Sequence, residues 1–104
     1  MDSDVIVAGG GVIGTAVAWR AAASGRDVIL VDPGDDGEKA TLVAAGMLAP
    51  VSESVFGEEN LLNLNLLALE RFPRFAEELE EAAGQEAGLR TEGTLNVACD
   101  SGDL

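Results

Sequence analysis

The sequence predicts an α/β fold: a βαβ unit with a parallel sheet, followed by one long helix. Three observations carry that reading. Two short β-branched runs, VIVA at 5–8 and VILV within DVILVD at 27–32, flank an alanine-rich segment. The glycine turn GGGVIG joins the first run to that segment. Far downstream, residues 60–83 repeat apolar side chains at spacings of three and four.

Each element has a local reason. Val5–Ala8 is uncharged and β-branched, which suits a strand buried on both faces of a parallel sheet. TAVAWRAAASG, residues 15–25, reads as a helix, because alanine favours one and Gly25 can close it. Residues 27–32 form a second buried strand. Strand, turn, helix and strand within about 30 residues make a right-handed parallel crossover. Residues 33–38 are a loop.

The stretch from Ala40 to Pro50, ATLVAAGMLAP, holds no charge and one hydroxyl. Two readings of it stand side by side. It is a small-residue helix packed on the sheet, or a place where backbone comes close to a flat or extended ligand, with Met47 as an adaptable contact. VSESVFGEEN is a polar connector. Leu62, Leu66, Leu69, Phe72, Ala76, Leu79 and Ala83 then form one apolar stripe on a helix over 60–83. Pro73 is expected to kink or split it. Glu77, Glu78, Glu80 and Glu81 read as a solvated face. TLNVA at 94–98 is a third candidate strand. Two or three strands with two helices leave apolar faces uncovered, so the fold reads as an incomplete domain.

Composition narrows the function. The 104 residues carry a net charge of −13, almost all of it beyond residue 31. Phosphate backbones and anionic membrane surfaces both require a basic face, so neither nucleic acid nor membrane is expected as a partner. Cys99 is the single cysteine and there is no histidine, which makes a metal site or an activated thiol a poor expectation. The acidic start at Asp2 and Asp4 lacks the basic region of a signal peptide. The uncharged run from Val5 to Trp19 is broken by glycines and too short for a bilayer. A cytoplasmic protein is expected.

The glycine turn carries the chemistry. Gly9, Gly11 and Gly14 spell G-x-G-x-x-G directly after a strand and at the start of a helix, and Asp32 follows 18 residues beyond Gly14. In this Rossmann-like context each residue has a task. Gly9 permits the tight turn, Gly11 lets a pyrophosphate approach the backbone, and Gly14 permits close helix–sheet packing. N–H groups near Val12 and Ile13 face the phosphates. Asp32 accepts from a ribose 2′-OH and disfavours a 2′-phosphate. The ligand is an ADP-containing dinucleotide, and the motif alone does not choose between NAD and FAD.

VIVAGGGVIG, VILVD and AAGMLAP, in this order, resemble the N-terminus of the D-amino-acid oxidase (DAO) family of flavoproteins, and its glycine-oxidase branch in particular. AAGMLAP is the more specific element, and EGTLNVA resembles the strand by which that family enters its substrate domain. The resemblance implies that residues 1–104 are the N-terminal part of an FAD-binding Rossmann-like domain and about the first third of such an enzyme. Residues from about 93 onward would begin the passage to a substrate domain. By position, Val12 and Ile13 would face the FAD pyrophosphate, Asp32 would hold the adenosine ribose, and Pro33 would sit beside it. Ala40 and Thr41 would lie along the cofactor, and Ala45, Gly46 and Met47 would approach the flavin. Asp32 stands where the family usually has Glu, and Lys39 where it usually has Arg. Lys39 would therefore act as a point charge instead of a bidentate fork. Ala40 and Leu42 replace the family's usual hydroxyls.

The same resemblance implies an oxidoreductase that oxidatively deaminates glycine or a small amine to an imine, with O₂ reduced to H₂O₂, in thiamine thiazole biosynthesis. The partners are then a glycine-like amino acid, O₂ and the remainder of the same chain, with a homo-oligomer left open. The residues that grip substrate in such enzymes lie downstream, so no catalytic residue is assigned here, and this portion alone is expected to be inactive. Two alternatives stand beside it: a D-amino-acid or sarcosine oxidase or dehydrogenase of the same family, and a non-catalytic NAD-binding module.

Overall fold

A computed structural model describes residues 2–34 and 40–99. The chain divides into two compact units, Met1–Gly46 and Met47–Leu104.

The first unit is the βαβ crossover. Strand β1 (Val5–Ala8) pairs in parallel with β2 (Val28–Val31), in the register Val5↔Val28 through Ala8↔Val31. The ladder is extended at both ends. The Asp4 and Val5 N–H groups both donate to the Asp27 carbonyl, and the Gly9 N–H donates to the Val31 carbonyl at 2.8 Å. Asp4 also accepts from the Asp27 N–H at 3.0 Å, so one side chain fixes where the second strand begins.

Helix α1 (Val12–Ala23) packs on both strands. It starts three residues before the expected Thr15. Gly11 is its N-cap, with extended backbone and no side-chain cap, so no capping residue type marks the boundary. Its other end falls as expected: Ser24 is the C-cap, and the Gly25 N–H returns to the Ala22 carbonyl at 2.9 Å.

Among the described residues of this unit, Val7 and Ala18 are buried. The expectation of strands buried on both faces is corrected here. Val7 is 8% exposed while Ile6, on the opposite face of the same strand, is 67% exposed. Within the unit α1 covers one face of the sheet, and strand side chains alternate between faces. A single helical turn, α2 (Ala40–Val43), follows and buries no residue.

The second unit is dominated by helix α3 (Glu59–Ala83). Its 25 residues span about 37 Å at 1.5 Å per residue. The helix runs through Pro73 without splitting. Proline lacks an N–H, so the Leu69 carbonyl, one turn back, receives no bond from that position. On the stripe, Ala76 is buried and Leu62, Phe72 and Leu79 are half-buried, while Leu66 and Leu69 are exposed. Phe72 and Phe75 add a tilted ring contact at 5.9 Å. Gly84 takes the left-handed conformation and donates its N–H to the Glu80 carbonyl at 2.8 Å, a standard helix exit.

Two of the acids on the last turns have specific tasks. Glu78 accepts from Arg74 Nε at 2.9 Å, and Glu80 Oε1 accepts from the Ala87 N–H at 2.7 Å. Met47–Pro50 lies beside Asn65, Ala68, Leu69 and Phe72, enclosing an open apolar cleft of about 220 Å³.

The candidate strand at 94–98 does not form. These residues belong to no strand, and Leu95 and Val97 are 86% and 72% exposed. A strand takes its backbone partners from a neighbour, and among the described residues the sheet consists of β1 and β2 alone. Among the described residues, no helix is long and apolar enough to cross a membrane.

Candidate functional site

The first unit brings Gly9, Gly10, Gly11, Val12, Ile13, Gly14, Asp32 and Thr41 to the carboxyl ends of β1 and β2. This is the edge where open parallel sheets bind ligands. The glycines hold their positions for distinct reasons. Gly9 has φ of +104°, a conformation that L side chains rarely adopt. A Cβ on Gly14 would lie 1.9 Å from the Gly9 carbonyl oxygen and 3.5 Å from Val7 Cγ1. The absent side chain therefore admits the turn's own backbone first and the sheet second, which refines the role expected for Gly14. A Cβ on Gly11 would first meet the Thr41 hydroxyl, at 3.3 Å.

Gly10 is the residue the motif pattern leaves out. Its N–H donates to Asp32 Oδ2 at 2.5 Å, and a Cβ there would lie 2.9 Å from that oxygen. Asp32 Oδ1 accepts from the Gly34 N–H at 2.9 Å. One half-buried carboxylate thus joins the glycine turn to the loop after β2. The turn is braced again by the Thr15 hydroxyl, which donates to the Gly10 carbonyl at 3.2 Å. The one cue to Gly10 in the sequence is the unbroken GGG.

The first turn of α1 presents N–H groups that have no carbonyl one turn behind them. The Val12 N–H is taken by Thr41 Oγ1 at 3.0 Å. Val12 and Ile13 are 63% and 77% exposed. Pro33 is exposed beside Asp32. Ala40, Ala45 and Gly46 lie in the first unit and are exposed. Met47, 75% exposed, opens the second unit. Lys39 lies outside the described residues. On the two readings of Ala40–Pro50, the segment is helical only over Ala40–Val43, and that turn buries nothing.

The arrangement suits a dinucleotide. The glycine turn carries no side chain, the first turn of α1 offers backbone donors to an anion, and an acid follows the end of β2. Fold and site therefore define a dinucleotide-binding βαβ unit.

Comparison with known proteins makes this narrower. Residues 4–104 match the family model described as "DAO: FAD dependent oxidoreductase", and the chain belongs to that family. It is 37% identical over 95 residues to a glycine oxidase of Geobacillus kaustophilus, covering 91% of this chain and 25% of that protein. It is 31% identical over 100 residues to a glycine oxidase of Bacillus licheniformis, covering 96% of this chain and 27% of that one. A bifunctional protein ThiO/ThiG of Synechocystis is 35% identical over 95 residues, covering 90% of this chain and 14% of its own length. No solved structure matches. The chain spans about a quarter of the length of the glycine oxidases it matches. The family's cofactor is FAD, which answers the choice the glycine motif left open.

Proposed function

We propose that this chain is the FAD-binding N-terminal part of an amino-acid oxidase resembling glycine oxidase. The observation that carries the reading is a likeness to glycine oxidases that runs through more than nine-tenths of the chain, glycine turn and small-residue stretch included. In this reading the first turn of α1 at Val12 and Ile13 faces the pyrophosphate, with the Val12 N–H held by Thr41, and Gly9, Gly11 and Gly14 shape its cradle. Asp32, with Pro33 beside it, holds the adenosine ribose. Lys39, Ala40 and Thr41 lie along the cofactor, and Ala45, Gly46 and Met47 approach the flavin. Residues from about 93 onward begin the passage to a substrate domain.

Bound FAD would supply the redox chemistry: it would take a hydride, two electrons, from the α-carbon of glycine or a similar small amine as the nitrogen loses a proton and C–N becomes C=N, and the two electrons would pass finally to O₂, which with two protons gives H₂O₂. The residues of this chain contribute binding and orientation. Substrate contacts come from elsewhere in the protein, and the enzyme works in the cytoplasm. The purified natural-length protein is expected to show flavin absorbance that bleaches on anaerobic addition of glycine. Bound flavin that bleaches with sarcosine or D-alanine but not glycine moves the substrate within the family. A protein that binds NAD and cannot be loaded with FAD refutes the reading.

A further inference from the structure

The small-residue stretch ends in a side chain whose own chemistry has not been used. The chain has two methionines, Met1 and Met47. Met47 is 75% exposed. It stands with Leu48 on one wall of the apolar cleft whose other wall is Ala68, Leu69 and Phe72 of α3. Asn65 is the one polar side chain in that lining. A thioether is a neutral nucleophile with no proton to lose, so its sulfur reacts without a neighbouring base, and access decides whether it is oxidised. A packed core denies that access; the mouth of this cleft grants it.

Resting on the amino-acid oxidase reading above, we propose that Met47 is an oxidative modification site: H₂O₂, the product of that reaction, converts its thioether to the sulfoxide and thereby lowers the enzyme's own activity. A sulfur lone pair forms the S–O bond as the peroxide O–O bond breaks. Sulfur gives up two electrons and the peroxide takes them. The departing hydroxide collects the remaining hydroxyl proton and leaves as water. An adaptable apolar side chain becomes a polar, chiral one. The sulfoxide oxygen needs hydrogen-bond donors, and among the side chains of the cleft the Asn65 amide alone can donate. Met47 therefore turns from the cleft toward water and draws Leu48 away from α3. The stretch that the functional reading sets against the flavin, Ala45 to Met47, is displaced with it. Methionine sulfoxide reductases reverse the change, so the loss is a brake and not a death.

The test uses the natural-length protein and its Met47→Leu variant. Trypsin cuts after Lys39 and Arg71, and Met47 is the one sulfur-bearing residue between them, so a gain of one oxygen in the peptide 40–71 reads the sulfoxide. Added H₂O₂ is expected to produce that gain, turnover with glycine in air is expected to produce it too, and activity is expected to fall with its appearance. Methionine sulfoxide reductase is expected to restore both. Met47→Leu, given the same peroxide, is expected to keep its own starting rate. A peptide unchanged at peroxide concentrations that oxidise free methionine overturns the site. A peptide oxidised by added peroxide but not during turnover overturns self-modification, and a Met47→Leu protein that loses the same share of its activity overturns the brake. A protein that makes no peroxide from any small amine refutes the functional reading instead, and added peroxide still decides the site.

Discussion

Replacing Gly14 by alanine sets two opposing effects against each other in a way the structure resolves. Gly14 is the third residue of α1, where alanine is the better helix former by about 1 kcal/mol. Propensity alone therefore predicts a more stable protein. The added methyl, however, would lie 1.9 Å from the Gly9 carbonyl oxygen, about 1 Å inside any normal contact. That oxygen is backbone and cannot swing aside. Gly9 is itself constrained, with φ of +104° and its N–H bonded to Val31. Relief must come from moving α1 off the turn or bending the turn off the sheet. Overpacking of this kind costs about 3 kcal/mol at the upper end of its usual range. After the propensity gain the net loss is about 2 kcal/mol, a large part of the stability of a typical domain. A chemical denaturation midpoint on cofactor-free protein reads this directly, and a flavin titration should show weaker loading of the same variant. A Gly14→Ala protein at least as stable as wild type would refute the close approach of helix and turn.

Two further predictions follow from particular contacts. Asp32→Asn keeps the shape but aims an amide N–H₂ at either the Gly10 or the Gly34 N–H, leaving a donor facing a donor. It should lower stability by about 1–3 kcal/mol and weaken FAD loading, read by denaturation and by flavin fluorescence. Pro73→Ala, at an exposed position inside α3, should raise stability by up to about 3 kcal/mol and increase helical circular dichroism. An unchanged unfolding midpoint would mean that the helix already accommodates the ring without loss.

What was legible in the sequence follows the range of the physics involved. Gly9 and the order strand, turn, helix, strand were readable because a left-handed turn and a short crossover are local demands. The start of α1 was misplaced because Gly11 caps it without a capping side chain. Gly10 went unassigned because its constraint is a carboxylate 22 residues away. The bond from Val12 to Thr41 is longer still in sequence and has no periodic signature. Residues 94–98 have strand composition but no strand, since composition supplies propensity and a neighbour must supply the hydrogen bonds. FAD was chosen over NAD by likeness to a family, a kind of information that single residues do not carry.

The bridging carboxylate of Asp32 has a consequence for how damage to this site is read. Because its two oxygens grip the glycine turn and the loop after β2 at once, the ends proposed above for the phosphate and the ribose share one fastening. A lesion at Gly10 displaces the acid, and a lesion at the acid releases Gly10. Substitutions at these two positions are therefore one injury reached from two sides, and their effects will not add. A survey of variants that scores each position separately would credit both ends with the same free energy and overstate what the site as a whole contributes.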